Sequence, residues 1–404
     1  MSVIKDFWTY CSCYEIPRNY AIWSAIGLIG ATTMRRVYVR QGDVKIHGNI
    51  YVCLIGQQGI KKSTAMNFAR EVYEKVFPEM PCAAAMQSRE DIIKFMASDE
   101  DRFFFTNHEN AQVEYHPYVL FINELKNFLS FNAAGMIEFL TDIYDRPYFN
   151  ASTIKRGLES FPNPCINIIA CETPQWITEK LKSAILVGGM ARRMVMVYEN
   201  DDTIEPRPRP KVLEDAKTAL LRIHDHLPKI AQLAGEFQWT PEAEVFFDDW
   251  YLKNRENMRQ IDDPMMQGYL RTKDMQVLKV SMLLALGEYE PKLLLTPELL
   301  QQAIAVLDAI EPNMAKLTLA AGRNELAGPQ VAALDLIERY GGCIPEKQWS
   351  NKLDKDLNPM EKSSIIRNLK DSERIYIADI KQKDGSVVTC VMSPDFYRKM
   401  RPKK

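Results

Sequence analysis

Gly56-Gln57-Gln58-Gly59-Ile60-Lys61-Lys62-Ser63-Thr64 follows a short apolar run, Ile50 to Ile55, and precedes a helical pattern from Thr64 to Val76. These residue types at this spacing fit a phosphate cradle. Gly56 and Gly59 let backbone N–H groups turn inward, Lys62 sets a point charge at the outer phosphates, and the Ser63 hydroxyl can ligate Mg²⁺. The helix that opens around Thr64 aims its positive end at the same anion. ATP and Mg²⁺ are the cofactors this chemistry calls for. Lys61 stands where the pattern G-x-x-x-x-G-K-[ST] has its last glycine, so its side chain must point away from the nucleotide or lend its charge to holding it. An ordinary turn between a buried strand and a surface helix would use similar residues.

A second strand pattern, Val119-Leu120-Phe121-Ile122, ends in Asn123 and Glu124. In P-loop ATPases such a strand lies beside the loop strand and turns its last residues toward the metal and the attacking water. Glu124 suits polarisation of that water, and Asn123 offers an amide oxygen to the Mg²⁺ shell. A third run, Ile166 to Ala170, ends in Cys171-Glu172-Thr173-Pro174, where the Thr173 hydroxyl can sense the terminal phosphate or cap a helix. Gly188-Gly189-Met190-Ala191-Arg192-Arg193 reads as a loop presenting guanidinium groups, suited to a neighbouring copy's terminal phosphate or to a surface ion pair.

The elements that must position these groups follow from pattern. The 404 residues suffice for two or three domains. A formal charge of −2 gives no global basic signature, so any nucleic-acid contact must be local. Eight cysteines without a CxxC pair, several inside apolar runs, fit a reducing cytoplasm. His224-Asp225-His226 reads as the solvated face of a surface helix. The most apolar stretch, Tyr20 to Thr32, is too short to span a bilayer and reads as a packed helix ended by Met34-Arg35-Arg36, so no membrane partner is expected.

Residues 1–45 are expected as an N-terminal helical segment bracing residues 46–205, an α/β core of alternating strands and helices. Phe149 to Ser160 reads as a hairpin with Gly157 at or near its bend. The run Glu205 to Pro210 is an extended linker, and residues 211–326 are expected to be helical throughout. Residues 328–404 predict three helices, ending with Pro359 to Asp371, and two strands joined across Asp384-Gly385. Helix–helix–helix–hairpin is the order of a winged helix, whose third helix and wing either touch DNA or dock protein. The basic residues there are Lys362, Arg367 and Lys370 on the helix and Lys381 and Lys383 on the wing.

Taken in order, these motifs resemble the AAA+ ATPases, on the branch of minichromosome-maintenance-like and phage or mobile-element replicative helicases. The resemblance covers about residues 15–290. It implies an AAA+ α/β core with a helical lid and a C-terminal winged helix. Gly56 to Ser63 sits on the family's Walker A motif, with Lys61 departing, and Phe121 to Glu124 on Walker B, with Asn123 departing. Ser152 to Leu158 resembles a pore hairpin, where Lys155, with Arg156 beside it, would touch DNA. Thr173 sits on sensor 1, and Arg192-Arg193-Met194 on the arginine-finger motif, pointing to Arg193. Arg271 is the counterpart of a sensor 2 arginine. The resemblance implies a hexameric, DNA-dependent ATP hydrolase, a replicative helicase in a bacterial host cytoplasm, with a partner supplying priming. A second reading is an ATP-switched initiator or helicase loader that binds DNA without unwinding it, and a third is a DNA-packaging or transposition-associated ATPase, against whose packaging form stands the lack of an acidic cluster for a two-metal nuclease site.

Overall fold

The chain opens with α1 (Val3–Cys11), α2 (Arg18–Thr33) and a hairpin of β1 (Val37–Gln41) and β2 (Val44–His47). The Ser2 hydroxyl accepts the Lys5 N–H and starts α1. Helix α2 is buried on nearly every side, as its uncharged Ala, Gly and Ile content requires. The computed structural model describes all residues but 1, 83–86, 99–101, 108, 131, 154–156, 183–188, 200–205, 262, 323–332, 335, 354–358, 373, 382–385 and 401–404. The chain forms two units, Met1–Ala321 and Gly322–Lys404.

Next come β3 (Tyr51–Ile55), α3 (Lys62–Val76), α4 (Arg89–Met96), β4 (Phe103–Thr106) and β5 (Gln112–Ile122). They are followed by α5 (Leu125–Phe128), α6 (Ala133–Ile143), β6 (Tyr148–Thr153) and β7 (Gly157–Pro162). Then follow β8 (Pro164–Glu172), α7 (Pro174–Lys182) and β9 (Met194–Tyr198). The result is a mixed α/β unit around a mostly parallel five-stranded sheet of order β4-β5-β8-β3-β9, in which only β4 pairs antiparallel. Both faces are covered. Val52, Leu54, Val119, Phe121, Ile169 and Val195 face α2 and α3. Tyr51, Cys53, Ile55, Leu120, Ile168 and Met196 face α4 and α6. Alternate residues of one strand therefore enter different cores, so near-continuous apolar runs are what such a strand needs.

The strand ending at Ile122 was expected beside the loop strand. It is one strand removed, with β8 between them. All nine residues of β8 are buried, which suits the centre of a sheet, whereas β5 begins with exposed and half-buried polar residues that suit a place nearer the edge. Strands β6 and β7 form the expected hairpin, with Thr153 opposite Gly157. Its bend, with Lys155 and Arg156, lies outside the described residues.

The rest of this unit comprises α8 (Glu214–Gln232), β10 (Gly235–Glu236), β11 (Gln238–Trp239), α9 (Pro241–Arg259), α10 (Pro264–Gly287), β12 (Leu294–Leu295), α11 (Pro297–Asp308) and α12 (Glu311–Gly322). The segment is thus not helical throughout. Gly235, at φ 143°, lets the chain turn out of α8 so that β10 pairs in parallel with β1, and β11 pairs with β12. His226 also departs from expectation. It is buried, with Nε2 3.1 Å from the Leu286 carbonyl and its ring edge-on to Tyr289.

In the second unit, helical residues 336–339 precede β13 (Cys343–Pro345), α13 (Glu346–Leu353), α14 (Pro359–Asp371), β14 (Tyr376–Lys381), β15 (Val387–Met392) and α15 (Pro394–Met400). The strands pair in the order β13-β15-β14. Trp349 is buried in this core and donates its indole N–H to the Ala333 carbonyl at 3.0 Å.

Candidate functional site

The loop from Gly56 to Lys61 leaves the carboxyl end of β3, which lies between β8 and β9. In open α/β sheets that end is where ligands sit. Two separate physical reasons fix its glycines. Gly56 is a matter of space: a Cβ there would collide with the Tyr20 hydroxyl and meet the Glu199 carbonyl at 3.0 Å. Gly59 is a matter of conformation, at φ 91° with open space around it. Lys61 also takes the left-handed conformation, at φ 60° and ψ 22°. The backbone thus adopts at Lys61 the geometry a glycine would hold most easily, and the exposed side chain turns to solvent.

Neighbouring strands brace the loop. The Gly56 N–H donates to the Glu172 carbonyl at 3.2 Å, the Glu199 N–H to the Ile55 carbonyl at 3.1 Å, and the Tyr20 hydroxyl to the same carbonyl at 2.5 Å. Lys62 folds back over the loop, its Nζ donating to the carbonyls of Gly56 at 2.6 Å and Gln57 at 2.7 Å. No side chain caps the start of α3. Ser63 is exposed and Thr64 half-buried in its first turn. The loop, the lysine and the helix start therefore come together as the spacing implied.

The other predicted residues divide by their place on the sheet. Asn123 and Glu124 end β5, both exposed, and the Glu124 carboxylate accepts from the Asn127 amide at 2.5 Å. Thr173 ends β8, its N–H at 2.7 Å and its hydroxyl at 3.2 Å from Glu172 Oε1. Glu172 Oε2 accepts the Lys126 N–H at 2.7 Å. This buried carboxylate thus ties the turn after Glu124 to the turn holding Thr173. Sequence reasoning passed over Glu172 in favour of its neighbour, although a lone acid closing an otherwise apolar strand was a visible signal.

Arg193 lies elsewhere. Met194 pairs with Tyr51, five residues before Gly56, so at about 3.3 Å per residue Arg193 sits about 17 Å from the loop of its own chain. Its guanidinium stacks 5.8 Å from the Tyr144 ring centroid and donates to the Gly189 carbonyl at 3.1 Å, leaving a buried Nε without a partner. Arg192 is exposed. Arg271 keeps the same company. The hydroxyl of its neighbour Thr272 donates to the Arg192 carbonyl at 3.2 Å, so Arg271 is not brought to the loop. Of the helices that follow β9, α12 reaches the loop's end of the sheet, where Asn313 donates to the Tyr198 carbonyl at 3.0 Å and Lys316 to Asn313 at 2.9 Å.

Beside Gly56 a cavity of 390 Å³ opens between the start of α2 and the end of β9, lined by Ile16, Pro17, Asn19 and Glu199 among others. The Asn19 amide donates to Glu199 at 2.6 Å. Burial raises the Glu199 carboxyl above its ordinary range, against the pull of Asn19 and Lys316. Asn19 and Glu199 are 180 residues apart, and no local pattern marks them.

In the second unit Arg367 on α14 is exposed and 3.8 Å from Asp371, and Lys381 is exposed at the end of β14. Lys362 is half-buried, and Lys383 lies outside the described residues. Among the described residues no cluster of His, Cys, Asp or Glu could by itself hold a metal, and no helix is long and apolar enough to cross a membrane. All eight cysteines are free thiols. Compared with known proteins, the chain matches no family model and no curated protein, so what it does must be argued from this geometry.

Proposed function

We propose that the chain is an ATP hydrolase of the AAA+ type that acts on DNA as a ring, a replicative helicase of a phage or mobile element. The observation that carries the reading is the loop itself: two left-handed residues and a tightly enclosed glycine turn the backbone around Lys62 at the uncapped start of α3. Such a turn supports an anion site beside the Lys62 ammonium, the arrangement a polyphosphate needs. The residues fit ATP and Mg²⁺. The loop and Lys62 would hold the phosphates, the adjoining cavity has room for a base, and the Ser63 hydroxyl and Asn123 amide offer hard oxygen ligands. ATP supplies the phosphoryl group that is transferred, and Mg²⁺ the charge that offsets its oxygens. Glu124 would orient the attacking water. Arg193, too far from its own loop, would serve a neighbour's, which is why the reading requires an oligomer.

The C-terminal unit, with three strands and helices around Trp349, would be a winged helix presenting Arg367 and Lys381 to DNA. An amide at Asn123, where a carboxylate is more usual, favours a second reading, in which slow turnover makes the chain a switch that loads or initiates. ATP-dependent strand displacement on a forked DNA, wild type beside Glu124→Gln, decides between them. Displacement by the wild type and none by the variant is the expected result. Nucleotide-dependent DNA binding without displacement by the wild type would replace the motor with the switch.

A further inference from the structure

A cationic face lies at the opposite end of the sheet from the loop. Arg35 Nε donates to the carbonyl of Pro164, where β8 begins, at 2.7 Å. In the β1–β2 hairpin Val39 pairs with Ile46, while Tyr38 pairs with His47 and Arg40 with Lys45. Side chains alternate across a strand, so Val39 and Ile46 enter the core, while on the other side Arg40 and Lys45 are exposed and largely cover Tyr38 and His47. There the cations lie over rings. Lys45 Nζ is 4.4 Å and the Arg40 guanidinium 5.8 Å from the Tyr38 centroid, and Arg36 is 5.3 Å from that of Tyr115. With Phe105 and Asn163 they border a cavity of 200 Å³. Asn163 directly follows β7 of the hairpin β6–β7.

Carboxylates only partly offset this charge. Arg40 meets Glu236 at 2.9 Å, and Glu109 is the other carboxylate on the cavity wall, against Arg35, Arg36, Arg40 and Lys45. Arg35 instead donates to the carbonyls of Pro164 and Arg146, and Arg36 to the Thr32 carbonyl and the Tyr115 hydroxyl. Carbonyls and hydroxyls satisfy donors without cancelling charge, so a concave, low-dielectric wall keeps a positive field. His47 shows the same field: burial first, then Arg35 and Lys279, drive its pKa well down and hold it neutral.

We propose that this face binds a single strand of nucleic acid, with Arg36, Arg40 and Lys45 meeting backbone phosphates and a base stacking on the guanidinium-covered Tyr38 surface. A single strand alternates charged phosphate with an open π-face, and this site sets exposed cations beside the exposed guanidinium plane of Arg40, which the buried Tyr38 ring backs. Free phosphate would use the charges and leave the guanidinium plane without a base to stack on it. A duplex hides its base faces. The site adds a contact to the DNA-dependent reading above and is separate from the nucleotide loop, so its test is run without nucleotide.

The test is fluorescence anisotropy of a labelled oligothymidylate, titrated with the full chain over a range of salt. Arg40→Gln with Lys45→Gln removes two exposed charges. The expected result is affinity about tenfold weaker and a salt slope shallower by about 1.4, at about 0.7 per phosphate contact on a single strand. Glu236→Gln frees Arg40 from its carboxylate and is expected to tighten binding, a gain that misfolding cannot imitate. Unchanged affinity and slope in the double variant overturn the proposal. So does displacement of the oligonucleotide from the wild type by inorganic phosphate or thymidine monophosphate as effectively, per phosphate, as by unlabelled strand.

Discussion

At the residue scale, Lys61 shows how a departure from a motif is absorbed. The loop needs a left-handed residue immediately before Lys62, and the chain puts a lysine there at φ 60°. An L side chain in that conformation costs about 1–2 kcal/mol, which the greater chain freedom of an unfolded glycine partly offsets. Lys61→Gly is therefore expected to stabilise the fold by about 0.5–1 kcal/mol, read as a higher urea midpoint with an unchanged slope. A lower midpoint would mean that the Lys61 charge holds something in the unliganded chain. The lysine, the glycines and Glu124 were legible because each lies in a short run that carries its own pattern, although Glu172 at the end of a similar run was passed over. Asn19, Glu199 and Lys316 were not, because three distant segments bring them together and none carries a pattern of its own.

Elements differ in the same way. Strands β3, β5 and β8 and helix α3 were readable from long apolar runs and helical spacing, since each buries enough surface to set its own state. Short pairings such as β10 with β1 depend on their partner and carry no periodicity. Helix α10 shows how an element is fastened. The buried Lys279 ammonium reaches Asn49 Oδ1 at 2.9 Å and its carbonyl at 3.2 Å, lies 4.2 Å from the Tyr144 ring centroid, and is 3.5 Å from Asp145. Burial lowers its pKa from the ordinary 10.5 to about 8, with Asp145 pulling the other way. Between those two values the unfolded chain holds a proton that the folded one has released, so this group adds stability as pH rises through that window. Below pH 8 both states are charged, and the cost of burying the ammonium is present in full and no longer varies with pH. The stability of the wild type relative to Lys279→Met is expected to increase by up to about 3 kcal/mol between pH 8 and 10.5. Paired urea titrations at several pH values would read it, and a flat difference would mean that the ammonium has the same pKa folded and unfolded.

For the whole molecule, the position of Arg193 is decisive. It lies at the end of the sheet remote from Lys62, so under the proposed function a complete site needs two copies. Glu124→Gln and Arg193→Ala should each abolish hydrolysis, and an equal mixture should recover about a quarter of the wild-type rate, because one interface in four then joins an intact Glu124 to an intact Arg193. No recovery on mixing would return both residues to one chain's site and sink the shared-site reading. Trp349 gives the second unit its own test. Trp349→Ala empties the centre of that core and is expected to cost it about 3–5 kcal/mol, seen as faster hydrogen exchange across β14 and β15. The separation of Lys62 from Arg193 has a further consequence. A two-fold pair satisfies a contact between loop end and far end by making it twice, once in each direction, whereas in the proposed ring it is made once at each head-to-tail joint. Copies joined head to tail either close into a ring or run on as a filament, so specific activity should climb steeply with dilution reversed and level off once the ring is closed.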